Sequence, residues 1–383
     1  MIASGIQLNK RLNEFDKPLV IASYFGFSPI MAPKVTDEDL KSTSHCSPHP
    51  HFDASEKAAL IRTYLEENFS SLSHPLAISY KRSVPKKKSD HYSLHLIGSG
   101  SGIAEATLMR TALSVLSEEG YKNLRIDINC VGDKESISAY ERELSGHVKK
   151  FHQELPLEAK EHLKEDVFNI FKSQMPEILS IRQTAPSSIT SLTYQSRIHF
   201  KEVLEYVDGL GIEFRISPEL VGERNHASHT IFAVKEKDND DEEENTLAVG
   251  YRYSRLGRRL GLKKDLPMAG VTIFTPQKEQ TKIYKNLPKP RFYIVQLGRE
   301  AMTKTISLIE LLRLNRIPAY HYLGKDKLSF QLTNAENLSV SHLIIIGQKE
   351  ALENTATVRN IHTRAQDTIS IQNLPHYLRN MPI

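Results

Sequence analysis

The chain has 383 residues, of which 39% are hydrophobic and 25% are charged, and its formal net charge is +4. This composition is typical of a globular protein with more than one domain, and no apolar run approaches the roughly 20 residues of a membrane span. The first residues, MIASGIQLNKRLNEFDKP, lack the apolar core of a signal peptide. Two cysteines, Cys46 and Cys130, are too few for a disulfide framework. We therefore expect a cytoplasmic protein with no membrane partner.

The positive charge is concentrated in the last quarter of the chain. From Pro290 to Ile383 there are eleven Lys and Arg against seven Asp and Glu, an excess equal to the formal net charge of the whole chain. Because a basic surface attracts phosphates, this distribution favours a nucleic-acid partner for that region.

The first 133 residues alternate predicted helices and strands. ASEKAALIRTYLEENFSSL has helical apolar spacing, with Ser55 as a candidate N-cap. PLAISYKRSVPKKKSDHYSLHLIG predicts two strands joined by a basic turn, followed by the helix GIAEATLMRTALSVLSEEGY and the strand LRIDINCVG. Strands that alternate with helices indicate an α/β or α+β core.

The rest of the chain divides into three predicted parts. Residues 134–200 are polar and predicted helical, which indicates an inserted helical subdomain. Residues 201–285 return to a helix, strands and a hairpin, and therefore form the second part of the core. The proline-rich linker KNLPKPR follows. Residues 291–383 predict a compact domain in which helices separate the strands of a mostly parallel sheet.

Segments along nearly the whole chain resemble, in the same order, the histidyl-tRNA synthetase family of class II aminoacyl-tRNA synthetases. FYIVQLG, LLRLNRIPAYHY and LIIIGQKEALENTATVRNIHTRAQ resemble its anticodon-binding domain. The other matches are to motif 1 (GFSPIMAPKVTD), the motif 2 hairpin (YKRSVPKKKSDHYSLHLIG), the histidine-specific segment (ISPELVGERNHASHTIFAV) and the strand after it (AVGYRYSRL). The resemblance implies an α+β class II core with an antiparallel sheet and helices, a helical insertion and a C-terminal α/β anticodon-binding-like domain.

The resemblance also implies partners and ligands. It implies a homodimer formed through the motif 1 region, tRNA rather than DNA as the nucleic acid, and ATP with Mg²⁺ if the chain is active. The His and Cys residues of SHCSPHPHFD match no standard zinc spacing, so we expect no metal site there.

The chain departs from the family at motif 2. Aligned on Pro85, the family's arginine falls on Lys81, with Arg82 next to it. Lysine keeps the charge but loses the bidentate fork of arginine. The Gln-x-x-x-Glu pair that binds the amino acid in the family falls on His91 and His95. An imidazole cannot replace a carboxylate that binds an ammonium group.

Further departures affect the other catalytic segments. The family's RGLDYY arginine falls on Gly222, with Arg224 two residues further on. PMAGVTIFTPQKE lacks the motif 3 arginine, and HFDASEK replaces an Arg-Pro-Glu-x-Thr loop. Lys81, Arg82 and Arg224 are therefore vestigial catalytic candidates in a set that predicts no intact ligase site.

Other segments carry both a binding and a structural interpretation. His91, His95, Arg252 and Tyr253 are candidate substrate-binding residues, although the strand of Arg252 and Tyr253 could simply support the sheet. GSGSG at 98–102 precedes a predicted helix, which suits anion binding, but lacks the lysine of a P-loop. A structural turn is the favoured interpretation of that segment.

Eight basic residues are candidate tRNA contacts, although an ordinary solvated surface also accounts for them. Three lie at the predicted hairpin tip and five in the C-terminal domain: Lys86, Lys87, Lys88, Arg299, Arg313, Arg316, Arg359 and Arg364.

Three functions remain open from the sequence. The leading hypothesis is a catalytically inactive paralogue that binds tRNA or a translation partner. The first alternative is an active, divergent histidine–tRNA ligase in which Lys81, Arg82, Arg224 and Arg252 take shifted roles. The second is a regulatory subunit like that of ATP phosphoribosyltransferase, a family that typically lacks the anticodon-binding-like domain.

Overall fold

The computed structural model describes most of the chain, in seven stretches. They are residues 12–46, 51–222, 225–237, 245–262, 266–278, 282–324 and 327–381. Of the predicted site residues, Arg224 lies outside them. Among the described residues, no helix has both the length and the apolar character that crossing a bilayer requires.

The described residues form fifteen strands. They are β1 (Phe15–Asp16), β2 (Ser28–Pro29), β3 (Leu76–Val84), β4 (Ser89–Ile97), β5 (Leu124–Gly132), β6 (Phe214–Ile216), β7 (Ser228–Glu236), β8 (Asn245–Arg252), β9 (Met268–Pro276), β10 (Ile283–Tyr284), β11 (Phe292–Gln296), β12 (Ala319–Tyr320), β13 (His342–Ile346), β14 (Thr355–Asn360) and β15 (Gln366–Ser370).

The described residues also form thirteen α-helices. They are α1 (Lys17–Tyr24), α2 (Asp37–Ser42), α3 (Ala54–Glu66), α4 (Ile103–Glu118), α5 (Lys134–Lys150), α6 (Leu157–Glu165), α7 (Pro176–Gln183), α8 (Tyr194–Gly209), α9 (Ser254–Arg259), α10 (Arg299–Leu314), α11 (Leu328–Asn337), α12 (Gln348–Glu353) and α13 (Leu374–Arg379).

The core is an eight-stranded sheet with the order β2-β3-β4-β9-β8-β7-β5-β6. The pairs from β3 to β5 are antiparallel, and the edge strands β2 and β6 are parallel to their neighbours. Helices α1, α4 and α8 pack on one face through a large apolar cluster, which includes Leu108, Leu116 and Val203. This arrangement is the antiparallel sheet with helices that the sequence predicts.

The predicted basic hairpin is confirmed. β3 and β4 pair in register from Leu76 opposite Ile97 to Val84 opposite Ser89, and a short 3-10 helix at Pro85–Lys87 forms the tip. Because side chains alternate along a strand, Lys81 and Arg82 point to opposite faces of the sheet.

The N-cap predicted for the third helix is wrong by two residues. α3 begins at Ala54, and the Asp53 carboxylate accepts the Glu56 backbone N–H at 3.0 Å. Ser55 lies inside the helix, where its hydroxyl donates to Asp53 at 2.7 Å. The extended backbone of Asp53 places its acceptor over the free amides of the first turn, as N-capping requires.

Helices α5, α6 and α7 lie within residues 134–200, the segment that the sequence predicts to be an inserted helical subdomain. Their apolar faces pack around Tyr140, Leu144, Phe168 and Ile178. The chain returns to the core along α8, so the expected division at residue 200 falls within one continuous helix.

The C-terminal domain has a five-stranded sheet with the order β12-β11-β13-β14-β15. β12, β11 and β13 are parallel, whereas β14 and β15 are antiparallel. The mostly parallel core predicted from the sequence is confirmed for these first three strands, and β14 forms antiparallel pairs with β13 and β15. Leu308 and Leu312 of α10 belong to the same apolar cluster as Leu116 of α4, so the two domains share a core.

Candidate functional site

A cavity of about 570 Å³ opens where β3, β4 and β9 meet the first turn of α3. Its walls carry charged, imidazole and aromatic groups, among them Cys46, His51, Asp53, Glu56, Arg82, Lys87, His91, Thr272 and Phe274.

Arg82 is the arginine of this cavity, and two carboxylates of the same chain bind it. Its Nη2 atom lies 2.9 Å from Asp53 Oδ2 and 3.0 Å from Glu56 Oε2. Burial opposes ionisation of Asp53, but the hydrogen bonds from Ser55, the Glu56 amide and Arg82 outweigh it and lower the pKa of Asp53 to about 2. At neutral pH the guanidinium charge is therefore compensated from within the chain.

Lys81 lies on the opposite face of β3 from the cavity. Its Nζ atom is 2.7 Å from Asp16 Oδ2 and 2.9 Å from Asp90 Oδ2. The neighbouring Tyr92 hydroxyl donates to the same Asp16 carboxylate. The geometry thus places Arg82, and not Lys81, at the cavity, because the alternation of the strand separates adjacent side chains.

His91 and His51 form an aromatic wall with Phe274. The Phe274 ring centroid is 4.9 Å from that of His91 and 5.0 Å from that of His51. Burial, with the positive charge of Arg82, lowers the pKa of His91. Near pH 7 this wall is consequently an uncharged surface made of aromatic rings.

His95 lies behind the cavity and is completely buried. Its Nδ1 atom is 2.9 Å from the Tyr253 hydroxyl, and its Nε2 atom is 3.1 Å from the Tyr80 hydroxyl. Tyr80, His95 and Tyr253 each have an exposed fraction of 0%. Two of the predicted substrate-binding residues, His95 and Tyr253, therefore contact each other in the core.

Glu56 and Lys57 complete this group, which we call the buried cluster: Glu56, Lys57, Tyr80, His95 and Tyr253. Glu56 Oε1 accepts the Tyr80 hydroxyl at 2.7 Å, and Lys57 Nζ lies 3.8 Å from the same oxygen. Burial opposes the ionisation of Glu56, but Lys57, Arg82 and the Tyr80 hydrogen bond outweigh it and lower its pKa.

Sequence reasoning missed Glu56 and Lys57. A signal for them existed, because helical spacing places Glu56 above Leu60 and Lys57 above Ile61 on the apolar stripe of α3. A polar pair on a buried stripe indicates partners inside the core.

Arg252 lies in a different part of the core and forms a buried bidentate pair. Its Nε and Nη2 atoms each donate to the Glu105 carboxylate at 2.6 Å, and two further N–H groups reach the carbonyls of Ser99 and Ser101. His199 Nε2 is 2.7 Å from the same carboxylate. Arg252, His199 and hydrogen bonds overcome the burial of Glu105 and lower its pKa to about 2. This geometry favours the interpretation in which Arg252 supports the fold and does not bind a substrate.

The N-terminus of α4 already carries an anion. The Ser101 hydroxyl donates to Glu202 Oε1 at 2.7 Å, and the Gly102 amide donates to Glu202 Oε2 at 3.0 Å. The GSGSG turn therefore binds a carboxylate of its own chain at the position where a phosphate-binding loop would hold its ligand.

Gly222 adopts a left-handed backbone conformation, with φ of +65°. A Cβ atom at this position would lie 2.8 Å from Ile231 Cδ1 and 3.1 Å from Phe52 Cε1. Both the φ angle and the contacts with neighbouring side chains therefore favour glycine at this position.

The five candidate arginines of the C-terminal domain divide into two groups. Arg313 is buried in the domain contact, where it binds Glu310 at 2.7 Å and Glu118 of α4 at 3.0 Å. Arg299 pairs with Glu205 of α8 and lies 5.3 Å above the Tyr206 ring.

The other three arginines and the three hairpin lysines reach the surface. Within the described parts of the chain they form no ion pair, and they are Lys86, Lys87, Lys88, Arg316, Arg359 and Arg364. The described residues also contain no group of three His, Cys, Asp or Glu side chains that could hold a metal ion.

Comparison with known proteins agrees with this architecture. The anticodon binding domain family matches residues 291–381. A histidine–tRNA ligase of Chlorobium phaeobacteroides is 26% identical over 332 residues, covering 83% of this chain and 76% of the ligase. The histidine–tRNA ligase of Bacillus subtilis is 25% identical over 296 residues, covering 75% of this chain and 69% of the ligase.

One solved structure supports the fold over almost the full length. The apo histidyl-tRNA synthetase of S. aureus superposes with a TM-score of 0.51 at 21% identity, covering 94% of this chain and 93% of that one. The predicted class II core and C-terminal anticodon-binding-like domain are thereby confirmed.

Proposed function

We propose that this chain, which is a histidyl-tRNA synthetase-like member of the class II family, binds tRNA without efficiently activating an amino acid. The observation that carries the proposal is the state of Arg82, whose guanidinium contacts Asp53 at 2.9 Å and Glu56 at 3.0 Å. Activation of an amino acid develops negative charge on a phosphate, and a preorganised cation is what stabilises such charge. An arginine bound by two carboxylates supplies little of this stabilisation.

The interior behind the cavity supports the same conclusion. The side chains of the buried cluster occupy the region below Arg82, and none is more than 2% exposed. A free amino acid could enter only if these side chains moved. Such a movement would separate buried hydrogen-bonded groups, which is costly.

Gly222 supports it independently. The resemblance places the family's catalytic arginine at this position, and a Cβ there would lie 2.8 Å from Ile231 Cδ1. The local backbone therefore favours the loss of that arginine, and restoring it would require the neighbouring side chains to move.

The cavity groups also fit an ATP–magnesium complex poorly. Lys87 is the one cavity lysine or arginine that pairs with no carboxylate among the described residues, because Arg82 is bound by Asp53 and Glu56. A single uncompensated cation would therefore face a triphosphate there. We therefore assign no catalytic step to bound ATP.

Binding of tRNA is supported by the surface cations. The hairpin-tip lysines Lys86, Lys87 and Lys88 are exposed, as are Arg316 and Arg364, and Arg359 is partly exposed. Cations of this kind exchange counterions for phosphates when a nucleic acid binds. We place this function in the cytoplasm and expect a homodimer formed through the motif 1 region, which light scattering of the purified protein would test.

The decisive test is ATP–pyrophosphate exchange by the purified chain with each of the twenty amino acids, beside an active histidine–tRNA ligase. We expect no exchange above background from this chain and full exchange from the control. Exchange with histidine would overturn the proposal in favour of the divergent ligase, which the open cavity beside Arg82 and Lys87 still permits. Exchange with another amino acid would indicate a changed substrate.

A salt titration tests the binding half of the proposal. Affinity for tRNA should fall steeply with salt, with a slope that counts the phosphates contacted. Affinity that is weak and independent of salt would remove tRNA as the partner. Copurification with a short phosphoribosyltransferase chain would instead support the regulatory-subunit alternative.

A further inference from the structure

We propose that the core contains an imidazole-binding site and that the side chain of His95 occupies it. Because the site is filled by the chain's own imidazole, free histidine cannot enter the core. The inference rests on the proposed function, because it names the group that occupies the space behind the cavity. It also adds a specific consequence, since removal of this one side chain should open a site for imidazole.

Both nitrogen atoms of the His95 ring are bound by tyrosine hydroxyl groups from other segments of the chain. Tyr253 follows β8, and its hydroxyl lies 2.9 Å from Nδ1. Tyr80 on β3 lies 3.1 Å from Nε2 and donates its own proton to Glu56 Oε1 at 2.7 Å. Because the Tyr80 proton points to Glu56, Nε2–H must donate to Tyr80 and Nδ1 must accept from Tyr253. The site thus selects one neutral tautomer.

Aromatic rings also pack against the His95 ring, in addition to the hydrogen bonds at its two nitrogen atoms. The Tyr80 ring is stacked on His95 with centroids 5.4 Å apart and an interplanar angle of 22°, and the Tyr253 ring meets it edge-on at 5.7 Å. Gly270 of β9 lies directly opposite His95, and a Cβ on Gly270 would be 2.3 Å from Nδ1. Glycine is therefore the residue that lets the imidazole lie against the neighbouring strand.

The cluster around the ring contains an ammonium and a carboxylate in addition to the imidazole. Lys57 Nζ lies 3.8 Å from Glu56 Oε1, and it donates to Thr272 Oγ1 at 3.4 Å. A free histidine has a carboxylate, an ammonium group and an imidazole. Glu56, Lys57 and His95 carry the same three groups, and each of these residues is at most 2% exposed. Apolar side chains of similar volume often stabilise a core equally well, so stability alone does not favour such a set.

The neighbouring His91 lacks the enclosed surroundings of His95. It lies on the same face of β4, four residues before His95, and it lines the open cavity. Its Nε2 atom lies 3.2 Å from the Ser89 hydroxyl, whereas both ring nitrogens of His95 have hydroxyl partners. His91 is therefore a matched control, because its removal enlarges an open cavity and leaves no enclosed imidazole-shaped space.

The experiment is a titration of the His95→Ala variant with imidazole, followed by its thermal midpoint and by calorimetry. We expect saturable binding and a rise in Tm of several degrees, since a ligand that binds only the folded state stabilises it. The wild type and His91→Ala should show neither effect. Binding of 1-methylimidazole should be much weaker, because it cannot donate to Tyr80 while accepting from Tyr253.

Two results would overturn the inference. One is a folded His95→Ala protein with no saturable response to imidazole. The other is equal binding of imidazole and 1-methylimidazole, which would indicate a nonspecific cavity. If the variant is unfolded alone, refolding with imidazole decides the question: recovery of the native far-UV spectrum supports the site, and failure to recover counts against it. These outcomes are independent of pyrophosphate exchange by the wild type, so failure of the proposed function remains distinguishable.

Discussion

The core and the C-terminal domain differ in what their predicted functional cations contact. In the core, Lys81, Arg82 and Arg252 each have two nitrogen-to-carboxylate contacts of 3.0 Å or less. In the C-terminal domain, Arg316 and Arg364 are exposed and form no ion pair with any described residue. Carboxylates of the chain thus compensate the charges of Lys81, Arg82 and Arg252, whereas Arg316 and Arg364 are accessible to an external partner.

Paired and exposed arginines also occur side by side, near the C-terminal end of α10. Arg313 is in the last turn of α10 and binds Glu310 and Glu118, whereas Arg316 lies three residues further on and is exposed. A buried guanidinium must have a partner, because an unpaired buried charge costs several kcal/mol, on the order of 3–5. Residue type alone therefore does not identify an RNA contact.

The largest expected effect is on the buried Arg252–Glu105 pair. Arg252→Met should lower the free energy of unfolding by about 3–5 kcal/mol, because it leaves the Glu105 carboxylate buried without its bidentate partner. Urea unfolding measures this, with Arg316→Met as the control at about 0.5 kcal/mol or less. If the two variants lost similar free energies of unfolding, the distinction between paired core arginines and exposed C-terminal arginines would be wrong.

The next effect compares two arginines of the same domain. Arg313→Met should lower the free energy of unfolding by about 2–3 kcal/mol, because it breaks the pair with Glu310 on the same helix and the contact with Glu118 of α4 in the core. Its tRNA affinity at a temperature where it is folded should be unchanged. Arg316→Met should do the reverse, reducing the salt slope of tRNA binding by about 0.7–0.9 if it contacts one phosphate. A drop in salt slope for Arg313→Met would show that this residue is accessible after all.

A moderate effect is expected from acidification. Burial, with the neighbouring His199 and Arg252 side chains, lowers the pKa of His229 to about 4. Burial, with the positive charge of Lys57, also lowers the pKa of His95. The unfolded chain takes up these protons below about pH 6.5, whereas the folded chain holds the rings neutral. The free energy of unfolding should therefore fall as the pH falls from about 6.5 to 4, by roughly 2–3 kcal/mol for His229, and the buried His95 ring acts in the same direction.

Urea unfolding at several pH values checks this, and His229→Gln provides the comparison. The variant should lose part of the pH dependence in that window. The carboxylates of Asp53 and Glu105, with pKa values of about 2, should keep their stabilising contribution until the pH falls below about 4. A curve that is flat from neutral pH down to 4 would contradict the assignment of neutral buried rings.

The smallest effect on stability is expected at the hairpin tip. Replacing Lys86, Lys87 and Lys88 together by Ala should weaken tRNA binding and make the salt slope shallower by about 0.7–0.9 for each lysine that contacts a phosphate. Stability should change little, since these side chains are exposed. The control removes three exposed lysines elsewhere, at Lys34, Lys134 and Lys285. Equal losses in both triple variants would mean that the binding depends on net charge alone.

Local patterns in the sequence predicted the β3–β4 hairpin, the inserted helices and the two-part core. Strand alternation and helical apolar spacing depend on near neighbours, and the structure follows them. The N-cap of α3 was missed because Asp53 and Ser55 both have suitable side chains, and only the backbone of Asp53 has the extended conformation of a cap. Glu56 and Lys57 could have been found, since both lie on the apolar stripe of that helix.

By itself, the sequence determined which segments become helices and strands and which family the chain resembles, because these depend on periodicity and motif order. Tertiary structure alone decided which cations remain available to a partner. Arg252 meets Glu105 across 147 positions of the chain, and Tyr253 meets His95 across 158. Such pairs form only when the sheet brings distant strands and helices together, and the cost of burying an unpaired polar group then makes each contact obligatory.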